Sequence, residues 1–379
     1  MDTDRTPTRL LIVSTCGTSL LTNGPMSDEL RKLLRRTAND TGKTLAATDR
    51  SFIDDRLKEK RDSLAKASPG EARDLSAELN GLLGLYDEDL SRAKGGHHIF
   101  LHTDTYQGEA VAETLAHWSR QKGLISETLR IDRLNAARVE DFHEGMANLA
   151  AWCANTLPGY RSSGYRIVFN LIGGFKSLQG FMQTLGMFHA DESVYLFEGE
   201  RTLLHIPRLP IDLDESAKTL MRDNLTLFRR LARGSLAASE CTSIPGTLLY
   251  RLGDECELSP WGRMLWDRFR TAAFEERLWP SPSPLIVYTD KFEKKAATLS
   301  EGKYRRYLNE RLDDLARHLE GGGKVRANLK RLDLKPLRGN PCPPATHEID
   351  AWAEGGAWRI CGRFDGQTFI LEDLLPHGF

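Results

Sequence analysis

Cysteine is sparse and scattered in this chain. The six present, Cys16, Cys153, Cys241, Cys256, Cys342 and Cys361, form no C-x-x-C pair and have no histidine beside them in metal-ligand spacing. This excludes a zinc-ribbon framework; they are read as reduced thiols, and no metal is expected. No uninterrupted apolar run approaches the roughly 18 residues of a membrane span, so no membrane partner is expected. The opening MDTDRTPTR carries two acids and runs straight into LLIVS. The basic start and apolar block of a secretory leader are thus missing, and the expected location is the cytoplasm. An excess of charge is missing too. The 52 Lys and Arg residues are balanced by 53 Asp and Glu, which argues against a chain committed as a whole to a polyanion but leaves room for a local patch. One is present: six basic residues stand between Lys324 and Arg338 against a single acid, Asp333.

What is present is an ordered alternation of patterns. At 379 residues the chain exceeds one core of ordinary size, so two or three domains are expected. Apolar, β-rich runs at Leu10 to Ser14, His98 to Thr103, Thr128 to Ile131, Arg166 to Ile172 and Ser193 to Phe197 alternate with helical patterns at Gly108 to Lys122, Ala137 to Asn155 and Leu178 to His189. Such alternation predicts an α/β fold, a mostly parallel sheet covered on both faces. The charged, helix-prone block from Lys43 to Lys94 interrupts it and is read as a helical insertion standing off the sheet.

Arg208 to Asp214, rich in turn-formers, marks a boundary. After it a helix is expected from about Glu215 to Ala232, then a short hairpin around Gly253-Asp254, then a helix from Pro260 to about Phe274 capped by Ser259. Helices with a small hairpin predict a winged helix over residues 208–280. The proline-rich Trp279 to Pro284 is read as a stiff linker. Beyond it one strand, helices and four short β-rich runs predict an α+β domain over residues 285–379.

Two loops of the N-terminal part carry candidate ligand chemistry. Ser14-Thr15-Cys16-Gly17-Thr18-Ser19 follows the first strand, and Asn170-Leu-Ile-Gly173-Gly174-Phe175-Lys176-Ser177 follows the fourth and opens a helix. Glycines, a helix N-terminus and a lysine make an anion site at the carboxyl edge of an open sheet. The bland alternative is a tight turn with a solvated lysine. These two motifs, with the following QGFMQTLGMFHADESVYLFE, resemble the CARF (CRISPR-associated Rossmann fold) sensors over roughly residues 9–207 apart from the helical insertion, which implies a sensor domain over residues 1–207. The resemblance implies a homodimer that binds a ring of oligoadenylate across its twofold axis, most often cyclic tetra-adenylate, as an allosteric activator without a further cofactor. It also implies a third ligand loop with Thr103, Asp104 and Gln107, where the alternative for Asp104 is helix capping. Slow cleavage of the ring by the same loops is a further implied property.

The last part resembles the RelE-like mRNA interferases, in the order Leu334-Lys335-Pro-Leu-Arg338-Gly339, Glu348-Ile-Asp350-Ala-Trp352, Gly356-Ala-Trp358-Arg359-Ile360 and a final strand to His377-Gly-Phe379. The resemblance implies metal-free cutting of ribosome-bound mRNA by attack of a 2'-hydroxyl on the adjacent phosphate. That chemistry requires a base, a cation on the phosphorane and an acid for the leaving oxygen. Arg359 is the candidate cation, Glu348 and His377 are candidates for base and acid, and Lys335 and Arg338 form a basic loop. Asp350 shares a strand face with Glu348, so one of them is expected to be structural. Arg359 read blandly is a solvated strand residue, and His377 a terminal one. Lys324, Arg326, Lys330 and Arg331 are assigned to RNA backbone contact and Phe379 to base stacking.

A sensor, a winged helix and a RelE-like domain in this order match the CRISPR-associated mRNA interferases. The rival reading is a ligand-responsive transcription regulator with a DNA-binding winged helix. Against it, Arg251, Arg263, Arg268, Arg270 and Arg277 are outweighed by Glu240, Asp254, Glu255, Glu257, Asp267, Glu275 and Glu276, a poor surface for a polyanion.

Overall fold

Neighbouring residues of a strand point to opposite faces, so the complete burial of Leu11, Ile12 and Val13 requires cover on both sides of strand β1, Leu10–Thr15. The computed structural model, which describes residues 9–197, 201–209, 215–322, 331–338 and 342–377, supplies that cover. The chain divides into two units, residues 1–212 and 213–379.

In the first unit β1 pairs in parallel with β2 (His97–His102) and with β4 (Arg166–Asn170); β3 (Ile125–Arg130) extends one side and β5 (Glu192–Leu196) the other. A further edge strand, β6 (Leu203–Pro207), runs antiparallel to β5, giving the order β3-β2-β1-β4-β5-β6. The mixed α/β expectation holds; β6, Leu203-Leu204-His205-Ile206-Pro207, lies just ahead of the expected boundary and is not among the expected strands. The helices Val139–Ser162 and Lys176–His189 pack beside β4.

The helical block is a correction. It does not stand off the sheet: Ile53, Leu57, Leu64, Leu79, Leu82 and Leu83 share one core with Ile12, Phe100, Val168 and Val194 of the strands. Its charges had suggested solvent, yet Arg56, Lys60, Arg73 and Glu78 are buried. Arg56 and Lys60 donate to the carbonyls of Leu21 and Asn23, which leave the short helix Ser19–Thr22 without further partners in its own turn. Among the described residues no helix is long and apolar enough to cross a membrane.

The second unit begins with helices Glu215–Asp223 and Leu225–Leu231, broken at Asn224 where one helix had been expected. A three-stranded antiparallel sheet follows, β7 (Leu236–Ala237), β8 (Leu249–Leu252) and β9 (Glu255–Leu258), in the order β7-β9-β8. The helix Pro260–Glu276 starts as its sequence predicts, with the Ser259 hydroxyl accepting from the Gly262 N–H and Pro260 in the first turn. Between β7 and β8 stand only two short 3-10 turns, Ala238–Cys241 and Gly246–Leu248.

The remainder forms a five-stranded sheet, β10 (Ile286–Tyr288), β11 (Lys335–Pro336), β12 (His347–Trp352), β13 (Trp358–Asp365) and β14 (Thr368–Pro376), in the order β10-β14-β13-β12-β11. All pairs but β10–β14 are antiparallel. The helices Asp290–Ala297 and Gly302–Glu320 cover the face bearing Ile349, Ile360 and Leu374. This is the predicted α+β plan. Trp279 to Pro284 is irregular as expected but is packed rather than free, with Trp279 and Ser283 buried.

Candidate functional site

Because β1, β2 and β4 are parallel, the loops that follow them emerge at one edge of the first sheet. Strand order reverses between β1 and β4, where such sheets form a ligand crevice. The two glycine loops meet there. Thr15 donates to the Gly173 carbonyl at 2.6 Å, and a Cβ on Gly17 would lie 2.8 Å from the Gly174 nitrogen, so glycine is required for the approach. Gly174 has φ +89°, a conformation glycine adopts freely. The helix Lys176–His189 then begins with no side-chain cap and no acid in its first turn, leaving its leading N–H groups beside the exposed Lys176 and Ser177.

The expected ligand residues separate into two groups. Ser14, Thr15, Cys16, Gln107 and Gly173 are buried, while Gly17, Thr18, Ser19, Thr103, Asp104, Gly174, Phe175, Lys176 and Ser177 reach the surface to some degree. Gln107 is turned inward: its amide donates to the Leu34 carbonyl and the Thr37 hydroxyl, tying down the helix Asp28–Arg36. Asp104 pairs with Arg130 at 2.9 Å and accepts the Arg133 N–H, so it braces its own loop; the Thr105 side chain caps the helix Tyr106–Gln121. Burial, and then Glu78, push the Cys16 thiol far up, which keeps it protonated.

The sequence carries no signal for a role of Glu78. Its buried carboxylate accepts from the Gly17 N–H at 2.7 Å, the Ser19 hydroxyl at 2.6 Å and the Ser76 hydroxyl at 2.5 Å. The first glycine loop is therefore organised from inside by an acid, and the open anion donors are those of the second.

The second cluster lies on the face of the five-stranded sheet opposite its helices. Register sets Lys335 across from Glu348 and Asp350 across from Arg359, and partners across a ladder share a face. Arg359 is buried and paired through Nη1 with Asp350 and with Asp333 (2.9 Å). Lys335 reaches Asp333 at 2.5 Å and Glu348 at 3.5 Å. Lys335, followed by Arg359, holds the Asp333 carboxyl below its usual range, and Asp333 raises Lys335. So Arg359 is no solvated strand residue. Of the two acids on β12, Asp350 anchors the guanidinium and Glu348 is the freer.

His377 is exposed beyond β14, its N–H bonded to the Ala357 carbonyl two residues before Arg359. Arg338 is exposed, and Arg331 pairs with Asp314 at 3.0 Å. Lys324, Arg326, Lys330, Gly339 and Phe379 lie outside the described residues.

Residues 73–209 match the family model described as CRISPR-associated protein (Cas_APE2256). The matched segment holds β2 to β6 and the Gly173-Gly174 loop, and the similarity to a CRISPR-associated family is a finding for this part of the chain. No curated protein matches the sequence.

Proposed function

We propose that the chain is an effector of CRISPR defence in which the N-terminal sheet binds a cyclic oligoadenylate, cyclic tetra-adenylate by preference, and thereby activates a metal-independent endoribonuclease in the C-terminal sheet. The observation that carries the first half is the CRISPR-associated match over the strand and loop that present an uncapped helix N-terminus with Lys176. Support for the second half comes from the grouping of Arg359, Lys335 and Glu348 on the face of the sheet opposite its helices, in a segment whose sequence resembles the RelE-like interferases.

In this reading Arg359 and Lys335 stabilise the charge that builds on the phosphorane. Glu348 takes the proton of the attacking 2'-hydroxyl, and His377 returns one to the departing 5'-oxygen. Asp350 holds Arg359 in place. So few groups form no deep pocket, and the proposed partner that orients mRNA for in-line attack is the ribosome, orientation being worth several kcal/mol. The regulator alternative has less support, because the place where a winged helix carries its groove-reading helix holds the two 3-10 turns.

The test is mRNA cleavage in a translating extract with each cyclic oligoadenylate. Lys176→Ala is expected to abolish activation by weakening ligand binding. Arg359→Ala is expected to keep ligand binding and lower cleavage by about a hundredfold. Near-normal cleavage by a folded Arg359→Ala chain places the active site elsewhere, and unchanged ligand affinity in Lys176→Ala removes that lysine from the sensor.

A further inference from the structure

Two cations converge on one oxygen in the C-terminal sheet: Lys335 Nζ at 2.5 Å and Arg359 Nη1 at 2.9 Å both donate to Oδ2 of Asp333. Paired cationic donors on a single anionic oxygen are what a non-bridging oxygen of a phosphodiester requires. We infer that Asp333 fills the phosphate position between Lys335 and Arg359 as an internal substitute, and that an RNA phosphodiester binds only when this carboxylate leaves. The inference rests on reading this face as the ribonuclease site.

Charge supports it. The cluster has two cations against the carboxylates of Asp333, Glu348 and Asp350, so a phosphodiester arriving with Asp333 in place enters a site already negative. With Asp333 withdrawn the cations balance the remaining two acids. Arg359 also holds donor capacity in reserve: its Nε is buried and has no hydrogen-bond partner. A ligand that approached the guanidinium edge-on would use it.

Asp333 is the acid able to leave. Glu348 and Asp350 are fixed in the ladder of β12, each in register with a partner. Asp333 lies two residues ahead of β11, outside the ladder, with its side chain 41% exposed. Its φ of +48° is one that residues other than glycine adopt at a cost. The ion pairs hold it there, and their exchange for a phosphate releases it.

The experiment uses the full chain and a fluorescein-labelled, fully 2'-O-methylated oligoribonucleotide, which lacks the attacking hydroxyl, with binding followed by anisotropy at low salt. Asp333→Asn keeps the shape and removes the charge, and is expected to tighten binding about tenfold, the worth of one charge-assisted hydrogen bond. Adding Lys335→Ala to it is expected to cancel the gain. Asp333→Ser serves the same purpose if circular dichroism shows the asparagine variant unfolded. Unchanged or weaker binding in a folded variant makes Asp333 a brace for the cations and overturns the inference. Tighter binding without any cleavage in a translating extract keeps the phosphate position and removes the ribonuclease reading; unchanged binding with cleavage lost in Arg359→Ala does the reverse.

Discussion

His98 is 1% exposed inside the first sheet unit, and its neighbours dictate one neutral tautomer. The backbone carbonyl of Ile125 lies 2.9 Å from Nδ1 and accepts its hydrogen, which leaves Nε2 to accept from the Tyr86 hydroxyl at 2.9 Å. Burial, against the Ile125 bond and with His97 nearby, lowers its pKa to about 4. The sign follows from linkage. An unfolded histidine takes up its proton near pH 6.5, while the folded one resists until about 4, so stability present above 6.5 is lost as pH falls through that window, by about 3 kcal/mol. Urea unfolding between pH 7 and 4 is expected to show the loss, reduced in a folded His98→Gln chain; an equal slope in both assigns the loss to other groups. Glu78 gives a second prediction of this kind. Glu78→Ala strands the Gly17 N–H and the Ser19 and Ser76 hydroxyls, which is expected to cost about 3 kcal/mol or more and to shift the urea midpoint accordingly. Neither Glu78 nor Asp333 was legible in the sequence as a site residue. Each has one partner two positions away, Ser76 and Lys335, but the partners that tie them into the sites stand 61 and 26 positions away, and local spacing carries no record of such pairing, whereas the glycine loops show by composition beside a strand and Arg359 through the resemblance to the RelE-like interferases.

Elements were legible where periodicity and caps agreed, as in the helix after Ser259 or the strands of the parallel sheet. They were misread where charge stood for exposure. Most charges of the block after Lys43 do face water, but Arg56, Lys60, Arg73 and Glu78 are buried and reach backbone carbonyls or pair inside the unit. The Trp279–Pro284 segment, a stiff linker by its prolines, is likewise packed into the unit. Arg229 is completely buried and spends Nε on Asp313 (2.8 Å), Nη1 on the Pro280 carbonyl (2.9 Å) and Nη2 on the Asn309 carbonyl (3.1 Å), with the Phe274 ring 5.1 Å away. Asn309 in turn donates to the Phe274 and Arg277 carbonyls and accepts the Trp279 N–H. One guanidinium thus joins the helix Leu225–Leu231, the Trp279–Pro284 strap and the helix Gly302–Glu320 in one polar network of the second unit. Removing one partner of a buried pair costs about 3–5 kcal/mol. Arg229→Ala is therefore expected to lower the melting temperature and to split the transition of an isolated 213–379 chain, if that chain folds, or of the full chain otherwise. A single undisplaced transition shows that apolar packing alone joins the elements.

At the scale of the molecule the proposed ligand has more charge than one chain can answer. A cyclic tetra-adenylate carries four phosphates, yet the glycine loops present one lysine, Lys176. The neighbouring Arg130 and Arg133 are already engaged by Asp104, Asp141 and Glu144. In the Gly17 loop the Gly17 N–H and the Ser19 hydroxyl are likewise taken up by Glu78, so the charge a single copy offers is one helix terminus and one cation. A twofold pair of chains offers two of each in an arrangement that repeats as the ring repeats, which is how a closed symmetric assembly meets a symmetric ligand. The chain is therefore expected to be a homodimer before ligand arrives, because a half-site with one lysine would hold the ring too weakly to recruit the second copy at cellular concentrations. Light scattering on the full chain, with and without cyclic tetra-adenylate, is expected to give twice the chain mass in both states, and titration is expected to saturate at one ring per dimer. A monomer in both states, or one ring bound per chain, removes the composite site and with it the argument that Lys176 acts in pairs.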